Sequence, residues 1–282
     1  MSEVTLERQL LDIMRDPKMP EYVRLAKVEM LINLVVDVNE KGYLSTVETP
    51  LYYALIYGQK EVADMLIKNG GEVDESYYRD ESMVFIAENN YVDLAEFLIK
   101  KGVGVNYKDW QDNTPLILAS ESRYRDLVEL FIKNGANIED KNKAGENALM
   151  KASKNGCDNV AKYLIEKGAN VNEVDKSGAS ILMEWVKRED VDIVKMLLEK
   201  GANVNYKTDH NVTALMSAVS LENKEMVELL INAGADVNIK DSKGKTALAR
   251  CRNNDMQKVI IDAVKMKKEK TGKNRLFNLF QR

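Results

Sequence analysis

Few residues in this chain are of a type and spacing that could do chemistry, and each lacks the companions its chemistry requires. Lys243-Gly244-Lys245-Thr246 has the ending of a loop that wraps phosphates with backbone N–H groups and a lysine. Such a loop needs a further glycine five residues before Gly244, and Ile239 stands there. His210, the single histidine, could serve as a general base, but no motif places a carboxylate or a nucleophile beside it. The acid pairs Glu189-Asp190 and Glu139-Asp140 are of the kind that solvent-facing turns ordinarily carry. Cys157 and Cys251 lie far apart, with no second Cys or His at metal-ligand spacing. The expectation is a chain without a catalytic residue, a bound metal or a cofactor, and not an enzyme.

Composition sets what must position any binding residues. The 282 residues are 45% hydrophobic and 30% charged, which is ordinary for a chain that folds. Only 4 prolines, abundant Leu, Ala, Lys and Glu, and 7% aromatic residues favour helices over a β-rich core. A net charge of −4 of mixed sign leaves no global footprint for nucleic acid or an anionic membrane, so neither is expected as a main partner. The N-terminal residues carry acids among apolar side chains rather than a basic region followed by an apolar one, and no run of about 18 apolar residues occurs. The default expectation is a cytoplasmic monomer.

A repeated ending organises the chain. LIKNGGEVD (66–74), LIKKGVGVN (98–106), FIKNGANIE (131–139), LIEKGANVN (164–172), LLEKGANVN (197–205) and LINAGADVN (230–238) place glycines at 70, 102, 135, 168, 201 and 234. The spacing is 32 once and then 33 throughout. A second landmark precedes five of these endings and recurs once after the last: Thr49-Pro50-Leu51, Thr114-Pro115-Leu116, Asn147-Ala148-Leu149, Ser180-Ile181-Leu182, Thr213-Ala214-Leu215 and Thr246-Ala247-Leu248. Thr, Asn or Ser there can accept a hydrogen bond from an orphaned N–H of a first helical turn, and Pro at the next position costs nothing. The glycine takes the left-handed backbone that ends a second helix. Between them Val62, Leu66 and Ile67, or Val194, Leu197 and Leu198, recur at helical spacing, giving a stripe that only a neighbouring unit can bury.

These two landmarks together resemble the ankyrin repeat, in which T-P-L opens the first helix and an L-L-x-x-G-A-D-V-N-like run closes the second. The resemblance spans roughly residues 39–265 and implies an all-α ankyrin repeat solenoid of helix-turn-helix units joined by β-turn fingers. Seven repeats are expected, at 39–74, 75–106, 107–139, 140–172, 173–205, 206–238 and 239–265. An N-terminal helical cap (1–38), with helices over Thr5 to Arg15 and Glu21 to Val35, precedes them. A basic C-terminal tail (266–282) follows. In the turn before the helix-opening residue, Gly145, Gly178 and Gly244 keep the family's glycine. Asp112 and Asn211 replace it and can tolerate a left-handed backbone, whereas Val47 and Arg79 cannot do so comfortably. Five positions after the helix-opening residue the family places a small side chain. Ile86 and Trp185 depart from that; Trp185 is expected in the core, the alternative being that it turns outward toward a ligand.

The same resemblance implies the surface that binds. Partner contacts in such proteins come from the fingertips and from positions about two turns into the first helix. Carried over position by position, these are Tyr57, Tyr77, Tyr78, Trp110, Gln111, Lys143, Lys176, Lys187, Arg188, His210, Lys243 and Lys245, with Lys154 in the same row. The aromatic residues fall early and the basic ones late. Aromatic anchors dominate binding energy while charged rims steer and select, so the expected partner is a protein offering an apolar or aromatic epitope and an acidic segment. A regulator or bacterial or viral effector that sequesters a partner enzyme is the alternative. In the tail, Lys265, Lys267, Lys268, Lys270, Lys273 and Arg275 precede Leu276, Phe277, Leu279 and Phe280, a pattern that could touch an anionic membrane surface.

Overall fold

The computed structural model describes residues 6–16, 18–34, 36–39, 49–57, 59–72, 81–176, 178–252 and 254–265. Short helices come in pairs, gathered into two compact units. In the unit that ends at Lys143, α1 (Leu6–Arg15) packs on α2 (Glu21–Ile32), α3 (Pro50–Ile56) on α4 (Lys60–Lys68), α5 (Glu81–Asn89) on α6 (Val92–Lys100) and α7 (Pro115–Glu121) on α8 (Arg125–Lys133). In the unit that begins at Ala144, α9 (Ala148–Asn155) packs on α10 (Asp158–Glu166), α11 (Ile181–Lys187) on α12 (Val191–Glu199) and α13 (Ala214–Ser220) on α14 (Lys224–Asn232). A 3-10 turn (Leu248–Arg250) and α15 (254–265) follow. Within each unit the first helices of successive pairs form one row and the second helices another. Among the described residues, β-structure is confined to an isolated antiparallel bridge between Val174 and Ser180. The fold is the all-α ankyrin solenoid that the repeats imply.

Local chemistry starts and stops each helix. The side chains of Thr49, Thr114, Asn147, Ser180 and Thr213 accept from the backbone N–H groups of Tyr52, Ile117, Met150, Met183 and Met216, at 2.9–3.3 Å. Pro50 and Pro115 follow directly, where a missing N–H is no loss. Gly70, Gly102, Gly135, Gly168, Gly201 and Gly234 leave the second helices at φ from +85° to +107°, a backbone that a Cβ would strain. Asp112 and Asn211 take φ of +62° and +54°, as their short polar side chains allow; Val47 and Arg79 lie outside the described residues. A second left-handed series, Asn90, Arg123, Gly156, Glu189 and Glu222, joins first helix to second in the five pairs from α5 to α14 at 33-residue intervals. Its mostly non-glycine residues give no composition signal for it.

The core is the stripe that neighbouring pairs cover. Val62, Leu66, Leu94, Leu98, Val194, Leu197, Val227 and Leu230 are at most 2% exposed. Each such side chain contributes roughly 1.5–3 kcal/mol by burial. Ile67 and Leu198, read into the same stripe, are only half-buried, because they point along the outer edge of their helices. At the N-terminal end Arg24 is buried and donates to the carbonyl oxygens of Ile13 and Asp16, satisfying the end of α1. The last pair departs from the pattern. Arg250 turns back onto Asp241, with contacts at 3.0 and 2.5 Å, and the first helix is reduced to three residues.

Candidate partner-binding surface

The fingers that present the candidate residues are β-turns closed from inside by one polar side chain. Asp109 Oδ1 accepts from the N–H groups of Gln111 and Asn113, both at 2.7 Å, and Asp241 Oδ1 accepts from those of Lys243 and Lys245, both at 2.8 Å. Asp175 Oδ1 and Thr208 Oγ1 do the same for Ala179 and Val212. Backbone bonds tie neighbouring tips: Lys143 N–H to Gln111 O in the first unit, and Lys176 N–H to Ala144 O and Ser242 N–H to His210 O in the second. Behind the second helices an asparagine ladder performs a similar task. Asn39, Asn106, Asn172 and Asn205 each donate through Nδ2 to the glycine carbonyl that ends the next repeat, and each accepts through Oδ1 from an N–H two residues further on. The recurring V-N of the repeat endings was its signal in the sequence.

In the first unit the finger bearing Trp110 is closed by hydrogen bonds and its tip is bare. Trp110 is 78% exposed, while its carbonyl oxygen accepts from Lys143 Nζ at 2.5 Å. Gln111 is exposed beside it. Tyr57 is half-exposed and stacks on Tyr53 with ring centroids 5.9 Å apart; Tyr53 in turn lies under the guanidinium of Arg15. Tyr77 and Tyr78 lie outside the described residues. Glu88, at the end of α5, has its carboxyl pushed above the usual range, first by burial and then by the negative charge of Asp109.

In the second unit three of the basic candidates, Lys154, Lys187 and Arg188, already have work inside the fold. Lys154 donates to Glu146 Oε1 at 2.6 Å and pairs with Asp175 Oδ2. Burial alone would lower its pKa, but the hydrogen bonds and charges of Asp175 and Glu146 outweigh that and hold it above its ordinary value. Lys187 is paired with Glu184 at 2.7 Å in its own helix. Arg188 donates to the carbonyl oxygens of Ser153 and Lys154, over the left-handed Gly156, where a Cβ would collide with the guanidinium. A cation at the C-terminal end of α9 satisfies its orphan carbonyls and its dipole. Lys176, His210, Lys243 and Lys245 are exposed at the fingertips, and the lysines form no ion pair among the described residues. Trp185 is 1% exposed, with Nε1 donating to Ser153 Oγ at 2.7 Å. It fills the core rather than facing a ligand, because Ser153 of the preceding pair gives its one polar atom a partner.

Among the described residues there is no group of three or more His, Cys, Asp and Glu side chains able to hold a metal ion, and no helix long and apolar enough to cross a membrane. The Lys243-Gly244-Lys245 segment is a fingertip turn in the repeat register, with Gly244 N–H bonded to Asp241 O.

Comparison with known proteins agrees with this geometry. A family model described as ankyrin repeats (3 copies) matches residues 78–142, 124–208, 149–241 and 182–271, and a single ankyrin repeat model matches 48–77. The ankyrin repeat domain of Bcl-3, described as a unique member of the IkappaB protein family, is similar over 92% of this chain and 98% of its own, with 22% identity and a TM-score of 0.52. An ankyrin repeat domain from Acinetobacter baumannii AYE is similar over 64% of this chain and 96% of its own, with 24% identity and a TM-score of 0.60. At these identities the likeness is one of fold. No curated protein matches the sequence.

Proposed function

Since the chain belongs to the ankyrin repeat family, whose repeats generally serve as protein–protein interaction modules, we propose that it is a non-catalytic scaffold that binds a partner protein through its fingertips. Trp110 carries the reading. A tryptophan held 78% in solvent on a finger pinned by Asp109 and Lys143 loses little conformational freedom on binding and offers a large apolar face. Tyr57 and Gln111 supply the neighbouring contacts. On the second unit Lys176, Lys243 and Lys245 form the basic rim for an acidic stretch of the partner, with His210 among them. Lys187 and Arg188 contribute through their hydrocarbon stems, their charged ends being engaged within the fold.

The test compares partners recovered by affinity purification with the wild-type chain and with Trp110→Ala. Helical content and melting temperature serve to check folding. A protein recovered by the wild type should bind the variant about 30-fold more weakly when both are purified and titrated, the loss of a central aromatic anchor. Undiminished affinity in a folded variant removes Trp110 from the proposal.

A further inference from the structure

The second unit reaches its last described helix without turning polar. Earlier in that unit the leucine of each helix-opening landmark is buried: Leu149, Leu182 and Leu215 are at most 2% exposed. Leu248, at the same position of the last pair, is 38% exposed, because its first helix is reduced to a 3-10 turn and no helix follows α15 among the described residues. Ala249 is exposed beside it, where Met150, Met183 and Met216 are buried.

The last helix itself repeats the anomaly. Glu228 of α14 borders the groove between α14 and α15, so its position is the one that looks toward a following helix. That position is Lys162, Lys195 and Glu228 in successive second helices and Ile261 in α15, where the side chain is 43% exposed. Val264 is half-buried, whereas its counterpart Ile231 is 1% exposed. A repeat that ends a stack ordinarily carries a polar outer face, as solubility requires. Here a charge gives way to isoleucine at the very pair whose outer side no described helix covers, leaving an apolar face that needs an occupant.

The chain that continues from α15 has the composition to supply one. Leu276, Phe277, Leu279 and Phe280 lie within a run of five residues. Leu276, Leu279 and Phe280 have the spacing of Val194, Leu197 and Leu198, the stripe of a second helix. Residues 266–275 separate this run from α15. Such a connection reaches up to about 33 Å, while α15 is roughly 18 Å long, so the run can return to any part of the face it leaves. A tether this short presents its end at an effective concentration on the order of millimolar, so even a weak contact is occupied.

We propose that the apolar end of the second unit, formed by Leu248, Ile261 and Val264, is the seat of the chain's own residues 276–280, which close the stack in place of a further repeat. Phe277 and Phe280 are thereby held to the protein rather than offered to a membrane surface.

The test uses the full 282-residue chain with Phe277 replaced by photoreactive benzoylphenylalanine, the cross-links being mapped by mass spectrometry. They should fall on or beside Leu248, Ile261 and Val264 of the same chain, in a yield independent of protein concentration. Ile261→Lys gives the position the residue that Lys195 is in α12, so the variant should fold, and it should lower the yield at least about fivefold. Leu276→Ser with Phe280→Ser removes the contact from the other side, which keeps the proposal testable should Ile261→Lys unfold. It should speed amide exchange in α15 about tenfold and leave α9 and α11 unchanged. Cross-links elsewhere on the chain, an unchanged yield in folded Ile261→Lys or unchanged exchange in the serine variant overturn the proposal. So do cross-links between chains that grow with concentration, which would give the face to a second copy. Vesicles containing phosphatidylserine that bind the wild type and abolish the cross-link overturn it as well, assigning the segment to a lipid surface.

Discussion

The two units place residues of different character on the same backbone positions. Where a first helix ends against the next finger, the second unit sets Lys154 between two carboxylates and the first sets Glu88 against Asp109. Where two helices approach closely, the second unit holds Trp185 and the first Ile86, both buried. In the second unit polar and aromatic side chains satisfy one another inside the molecule, and the outward surface is what remains. In the first, the indole of Trp110 is left facing solvent on a finger whose Asp109 is bonded within it. The lesson is that a repeat frame fixes where a side chain stands, while the residue decides whether that place is closed by the chain itself or left open to a partner.

The largest expected effect tests the closed side of this comparison. Trp185→Ala should cost about 3–5 kcal/mol in denaturant unfolding, from the cavity and the lost bond to Ser153. The loss should appear as faster amide exchange in α9 and α11 while α5 and α7 keep theirs; uniform acceleration in both units would mean that they do not differ in this way. Next, Lys154→Met should cost about 1–3 kcal/mol. It removes the ammonium that bridges Glu146 and Asp175, with side chains 9% and 3% exposed; the loss is reduced because Lys151 still reaches Glu146 at 3.4 Å and Lys154 itself is one-third exposed. A variant as stable as the wild type would make the cluster incidental.

The smallest effects concern pH, and their signs are opposite. Glu88 has a raised pKa, so its ionisation opposes folding: stability is fullest below about pH 4.5 and falls as pH rises through the raised value. Glu88→Gln should therefore raise the melting temperature at pH 7 by about 1 °C, a gain that disappears in acid. Asp241 has a lowered pKa, held down first by the N–H of Lys245 and then by Arg250 and the N–H of Lys243. Its stabilisation is complete above its ordinary value of 3.8 and is lost as pH falls through the lowered one, so Asp241→Asn should cost stability at pH 7 and progressively less in acid. Melting curves from pH 3 to pH 7 check both.

Much of the frame was legible because its determinants are local. Thr114 and Ser180 open helices by accepting a hydrogen bond three residues on, and Gly135 and Gly201 close them by a backbone angle, so both kinds of signal survive in the sequence. Arg123 and Glu189 take left-handed angles as regularly as those glycines, yet nothing in their side chains announces it, because the surrounding pair of helices imposes the turn. The basic row illustrates the other limit. Lys143, Lys154, Lys187 and Arg188 read alike in sequence, and the structure gives each a separate partner: a carbonyl oxygen, two carboxylates, a neighbouring glutamate and the end of α9.

By itself, then, the sequence determined the repeat, its period and the residues that open and close its helices, since each follows from interactions within a few residues or from a pattern repeated every 33. Which side chains are closed within the fold and which stay exposed was decided by tertiary structure alone. Trp185 finds Ser153, Lys154 finds Asp175 and Glu88 finds Asp109 only when one repeat is laid against the next, and charge and hydrogen bonding act through space rather than along the chain.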